Sequence, residues 1–149
     1  MQTDPWYEAE GSPAPFGSQW LEEQQAFNFA LYSRDATAIT LLHFKSGDLS
    51  DAFLEIPLDH LVNKSGRVWH CKIKAEQLAD ARFYACRVSG ANAPGSGHRF
   101  DDQKVLFDPY AQAIHFPGEF SRAAACAPGS NAGRLGFQFD DKSAMVRLA

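Results

Sequence analysis

Six short apolar runs, spaced about ten residues apart, constrain this chain more than any other feature. They cover Ala26–Tyr32, Ala38–Phe44, Ala52–Ile56, Val68–Ile73, Arg82–Val88 and Val105–Phe107. Turn-forming residues separate them at Ser33–Asp35, Ser46–Asp48, Asn63–Gly66 and Gly90–Gly97. Helical periodicity is nearly absent, and only Glu76–Ala81 has a helix-like composition. Short runs punctuated by turns predict an all-β chain folded as a β-sandwich. Residues 1–25 carry Pro5, Pro13, Pro15, Gly11 and Gly17 and read as an irregular lead-in.

Alternation assigns faces to the strands. Trp69, Cys71 and Ile73 share one side, and His70 and Lys72 the other. Tyr84, Cys86 and Val88 oppose Phe83, Ala85 and Arg87. The expected core is Trp69, Cys71, Ile73, Cys86 and Val88, with Phe27, Phe29 and Leu31 opposite them. Cys71 and Cys86 are placed on neighbouring strands as buried free thiols, because a buried cysteine packs as a small apolar residue.

At 149 residues the chain is one domain with tails, and 45% apolar content suffices for one core. Its net charge of −4 comes without a basic block, which argues against nucleic acid as a partner. No apolar run approaches the roughly 18–20 residues that span a bilayer, so no membrane partner is expected. The N-terminal stretch MQTDPWYEAEGSPAP lacks the basic and apolar regions of a signal peptide. Three cysteines without metal-ligand spacing fit reduced thiols in a cytosolic-type compartment.

The chain lacks the sequence marks of an active site. Carboxylates occur as the adjacent pairs Glu22/Glu23, Asp101/Asp102 and Asp140/Asp141. Neighbours on an extended chain point to opposite faces, so such pairs do not converge on one scissile bond. His43, His60, His70, His98 and His115 are dispersed, and no nucleophile or phosphate-loop motif is present. No catalytic residue, metal or cofactor is expected.

Charge and aromatic residues concentrate in one block, GHRFDDQKVLFDPYA, from Gly97 to Ala111. A Gly-bounded turn leads into it, and Asp108-Pro109 stops the apolar run. Arg99 is expected to pair with Asp101 or Asp108 and pin the loop. Alternatively, Arg99, Phe100 and Tyr110 form a patch that docks on another domain, since Arg and aromatic residues are enriched at interfaces.

This block, extended as GHRFDDQKVLFDPYAQAI, resembles the segment closing the N-terminal module of isoamylase-type glycogen and starch debranching enzymes. FNFALYSRDATAITLLHF (Phe27–Phe44), NKSGRVWHCKI (Asn63–Ile73) and FYACRVSG (Phe83–Gly90) resemble further strands of that module, in family order. GSPAPFGSQW, around Trp20, is similar to its opening segment. The resemblance covers about residues 11–120, leaving tails at 1–10 and 121–149. From Arg134 to Ala149 the sequence departs from the family pattern.

The resemblance implies an immunoglobulin-like, early-set sandwich of carbohydrate-binding module family 48. It implies a non-catalytic module that binds or docks α-glucan (glycogen, starch or amylopectin) in an α-amylase-superfamily enzyme that hydrolyses α-1,6 branch linkages. The hydrolytic (β/α)₈ barrel of such enzymes takes about 250 residues, more than this chain holds. The barrel then becomes an expected partner, in cis or in trans. The implied compartment is a bacterial cytoplasm or a plastid.

Trp20, Trp69 and Tyr84 are the candidate sugar-stacking residues, with Trp69 assigned by alternation to the core. Arg99, Phe100, Asp108 and Tyr110 are the candidate docking residues. Related glycogen-binding modules use paired surface tryptophans, and no such pair matches here residue by residue. That mismatch keeps a second reading open: an interaction sandwich that docks on a catalytic partner and binds no glucan.

Overall fold

The computed structural model describes residues 10–45, 52–115 and 145–147. In chain order the strands are β1 (Gly17–Leu21), β2 (Ala26–Tyr32), β3 (Ala38–Phe44), β4 (Leu54–Pro57) and β5 (Lys64–Ser65). There follow β6 (Val68–Lys74), β7 (Phe83–Ser89), β8 (Asn92–Ala93), β9 (His98–Arg99), β10 (Ile114–His115) and β11 (Met145–Arg147). They form one sheet in the order β1-β2-β6-β5, a second in the order β10-β11-β7-β3-β4, and a small β8-β9 hairpin. No helix among the described residues is long and apolar enough to cross a membrane.

The two larger sheets pack face to face, as the alternation requires. Phe29, Leu31, Trp69, Cys71 and Ile73 from the first sheet meet Ile39, Leu41, Tyr84, Cys86 and Val88 from the second in one buried cluster. Phe29 meets Tyr84 edge-on across the sandwich, with ring centroids 4.9 Å apart. The outer face of the second sheet is also covered. Val105 closes over Leu42, Phe44 and Ala85 there.

Several expectations are corrected. Phe27, Phe29 and Leu31 do not lie opposite Ile73, Cys71 and Trp69; they are their cross-strand partners in the same sheet. Cys71 and Cys86 lie on different sheets, both buried and free. Burial pushes each thiol up to about 12, so both stay protonated. Val105–Phe107 forms no strand: only Leu106 pairs, as a single bridge to Cys86. The helix-like stretch contributes a 3₁₀ turn at Ala75–Leu78.

The lead-in is more ordered than its prolines suggest. It supplies β1, which pairs with β2 from Gly17↔Ala30 to Leu21↔Ala26. Before β1, Glu10 to Ser12 crosses the outer face of the first sheet. The Asn28 side chain accepts from the Ser12 N–H at 2.7 Å and donates to the Ser12 carbonyl at 2.9 Å. Nδ1 of His70 lies 2.6 Å from the Glu10 carbonyl oxygen, which requires its proton on Nδ1. Gly11 has φ +73°, and a Cβ there would stand 2.5 Å from the Cys71 carbonyl carbon. These contacts explain why Asn28 and His70 are buried on a face that alternation leaves to solvent.

At the other end, Met145–Arg147 inserts as β11 between β7 and β10, so the stretch 121–149 is not wholly loop. Cys126 and the Asp140/Asp141 pair lie outside the described residues.

Candidate functional site

The D-P-Y turn is built around Asp108, which is buried and points inward. Its Oδ2 accepts from the Tyr84 hydroxyl at 2.8 Å, and its Oδ1 accepts from the Tyr110 N–H at 2.8 Å. Burial raises the Asp108 carboxyl above the usual range, and the two hydrogen bonds work against that rise. Burial and the Asp108 charge together push the Tyr84 phenol up, so it remains a donor. Asp108 is therefore an internal anchor of the turn rather than a docking surface.

The anchor fixes the backbone around Tyr110. The Tyr110 carbonyl lies against Gly17, where a Cβ would approach its oxygen to 2.8 Å, and Gly17 has φ +90°. Only glycine meets both demands without strain. The start of β1 and the D-P-Y turn are thus held together, with Tyr110 directed outward and 56% exposed.

Phe16, just before β1, packs its ring on Tyr110 at a centroid distance of 4.9 Å and on Tyr32 at 6.4 Å. Tyr32 ends β2 and is 52% exposed. The three rings form a row, Tyr32–Phe16–Tyr110, where β1 begins and β2 ends. Successive rings are tilted to each other, with interplanar angles of 54° and 58°. Tyr32 was not singled out from sequence, although alternation sends it to the side opposite Leu31. Phe16 carried no such signal, since its position follows from the Gly17–Tyr110 contact.

The residues singled out from sequence fall in different places. Trp69 and Tyr84 are each 1% exposed, so neither ring can stack on a sugar. Alternation placed Trp69 inward, and Lys64 Nζ sits 4.9 Å from its ring centroid. Trp20 is 40% exposed. Its ring packs on Phe27 at 4.8 Å, and its Nε1–H donates to Glu22. Phe100 is half-buried against the core, directly over Gly90, where a Cβ would meet its ring at 2.5 Å. Arg99 is exposed on β9 and makes no ion pair with Asp101 or Asp108. The loop is pinned by Tyr84–Asp108, and not by the arginine pair expected from the sequence.

Asp101 accepts from the Gln103 N–H and Asp102 from the Gln103 side chain. Glu22 and Glu23 sit in an exposed 3₁₀ turn. Among the described residues, no cluster of His, Cys, Asp and Glu could hold a metal ion.

Known proteins share this architecture. Over most of its length the fold matches part of a Group B Streptococcus pullulanase, with TM-score 0.55 at 14% identity, covering 93% of this chain and 15% of that one. It also matches part of a Paenibacillus barengoltzii pullulanase crystallised with maltohexaose and α-cyclodextrin, with TM-score 0.51 at 18% identity, covering 79% and 16%. In sequence, the chain is 40% identical over 123 residues to the chloroplastic isoamylase SU1 of Zea mays, covering 81% of this chain and 15% of that protein. It is 36% identical over 104 residues to a glycogen debranching enzyme of Yersinia enterocolitica, covering 70% and 14%. The chain thus spans about 15% of the length of the curated relatives it matches. The model of carbohydrate-binding module 48, the isoamylase N-terminal domain, matches residues 15–111, which run from just before Phe16 through the D-P-Y turn. With that match and the two packed antiparallel sheets, the chain belongs to the carbohydrate-binding module 48 family.

Proposed function

We propose that this chain is a non-catalytic α-glucan-binding module of a glycogen or starch debranching enzyme. The hydrolysis of α-1,6 linkages would be carried by a barrel domain on which the module docks. The carrying observation is the family match over residues 15–111, on a sandwich that leaves aromatic rings exposed at its surface. Sugar recognition needs such rings against C–H faces, with polar groups for the hydroxyls. The relatives' names, chloroplastic isoamylase and bacterial glycogen debranching enzyme, support a role in storage-glucan metabolism in a plastid or a bacterial cytoplasm.

A second reading is a sandwich that docks on its catalytic partner and holds no glucan. It is favoured by one observation: two of the three rings singled out from sequence, Trp69 and Tyr84, are buried. Of the docking candidates, Arg99 and Tyr110 are exposed and remain available to a barrel.

Native gel electrophoresis in the presence of glycogen or amylopectin separates the two. The glucan reading expects retardation of the full 149-residue chain that soluble maltoheptaose reverses. Unretarded migration at every glucan concentration would remove that reading and leave the docking module.

A further inference from the structure

The row Tyr32–Phe16–Tyr110 has chemistry that the fold does not need. Tyr32 and Tyr110 are exposed by more than half, and each directs a large amphipathic ring outward. The segments carrying the row are nevertheless fixed. Tyr32 is the last residue of a seven-residue strand, paired with Val68. Tyr110 is held by its N–H bond to Asp108 Oδ1, and its carbonyl lies against Gly17. Ordering exposed rings in this way pre-organises a surface for a ligand, since less freedom is lost on binding.

We propose that this row is the sugar platform of the module, and that it takes a curved α-1,4-linked glucan chain along Tyr32, Phe16 and Tyr110. The inference rests on the glucan-binding reading above and assigns it a site. Two features carry the choice of ligand. The rings are uncharged, and the outer two have hydroxyls that can donate to and accept from sugar hydroxyls. Successive rings are also inclined at 54° and 58°. A β-1,4-linked chain is a flat ribbon and suits coplanar rings. An α-1,4 linkage turns each glucose against the last, so the chain curls and its apolar faces present themselves at an angle. Trp20 is a poorer platform. It stands apart from the row, and its one donor is taken by Glu22.

The test is a titration of the full chain with maltoheptaose, followed by tyrosine fluorescence difference or calorimetry, with cellohexaose as control. Variants are Tyr32→Ala, Tyr110→Ala and Trp20→Ala, with Tyr32→Phe and Tyr110→Phe as conservative partners. The substituted positions are exposed, and an unchanged circular dichroism spectrum and melting midpoint check that each variant keeps its fold. The expected result is maltoheptaose binding without cellohexaose binding, weakened about tenfold by each Tyr→Ala change. Each Tyr→Phe change should cost less than its Ala counterpart, and Trp20→Ala should leave the affinity within about twofold. Wild-type binding that survives both Tyr→Ala changes would overturn the platform while leaving the glucan reading intact, and the row would then be a protein contact. Equal binding of cellohexaose would overturn the assignment of a curved chain. No binding of any α-glucan by the wild type would overturn both the platform and the reading it rests on.

Discussion

The hydroxyl of Tyr84 donates to Oδ2 of Asp108 across 2.8 Å in a buried site, and this bond ties the core strand β7 to the D-P-Y turn. Removing the hydroxyl leaves a buried carboxylate oxygen without that donor. Tyr84→Phe is therefore expected to lower stability by about 1–3 kcal/mol. Asp108→Ala should cost more, because it also releases the Tyr110 N–H. Asp108→Asn keeps an acceptor and carries no charge to desolvate, so it should cost less than Asp108→Ala. Urea unfolding of the three variants checks this order, and an Asn variant as weak as the Ala variant would show that the charge itself is required.

Gly11 and Gly66 both have positive φ, +73° and +62°, but their surroundings differ. A Cβ on Gly11 would stand 2.5 Å from the Cys71 backbone, whereas nothing lies within 4 Å of one on Gly66. The backbone of β6 cannot yield without breaking its pairing to β2. Gly66→Ala should cost about 1 kcal/mol, the price of a left-handed residue alone. Gly11→Ala should cost about 2–3 kcal/mol, adding the clash and the release of the strap over Asn28 and His70. Equal midpoints for the two variants in urea would show that the strap contributes nothing to stability.

Much of this fold was legible because alternation survives in the buried strands. Trp69, Cys71 and Ile73 on β6, and Tyr84, Cys86 and Val88 on β7, point to the core as their spacing requires. Sheet membership was not legible, because it depends on which distant strand each one pairs with. That is why Cys71 and Cys86 fell on separate sheets, and why Phe29 pairs beside Cys71 rather than facing it. β1 was hidden because Gly17, Ser18 and Gln19 supply no apolar alternation, and its pairing comes from β2. Val105–Phe107 misled in the other direction. Its apolar residues cover the outer face of a sheet and a single bridge, so composition marked burial without marking a ladder. Of the aromatic row only Tyr110 was singled out, by its block; parity sends Tyr32 outward but marked no site, and Phe16 is placed only through a backbone contact.

Arg99 lies on the exposed β9 strand, and the carboxylate expected to hold it is already committed to Tyr84 and Tyr110. Asp101 is turned to the Gln103 N–H. Arg99→Ala should therefore leave the unfolding midpoint of the isolated chain within about 0.5 kcal/mol of wild type. A loss well above that would restore the arginine as a pin of the loop. An unchanged midpoint together with weaker association to a catalytic barrel would identify it as a contact to that domain.

His43 on β3 is fully buried against Phe29, with ring centroids 5.5 Å apart, and neither ring nitrogen has a hydrogen-bond partner among the described residues. Burial lowers its pKa from 6.5 to about 4, because the charged ring would lose water and gain no acceptor. The folded state therefore binds this proton less readily than the unfolded chain does. The stability that comes from keeping His43 neutral is fully present above pH 6.5 and is lost as the pH falls toward 4. At pH 5 the loss should be about 2 kcal/mol relative to pH 8. Asp108 acts with the opposite sign. Its raised pKa means its contribution declines as the pH rises through the folded value, so it partly masks the histidine on acidification. Comparing wild type with His43→Leu at each pH cancels the Asp108 part, since the two proteins share it. The leucine variant breaks no hydrogen bond to a described residue and fills an apolar site, so it should be at least as stable as wild type at pH 8. Its advantage should then grow by about 2 kcal/mol at pH 5 in urea unfolding. A gap between the two proteins that stays constant from pH 8 to pH 5 would show that His43 finds a partner for its charge, and that the buried ring does not limit the acid stability of this module.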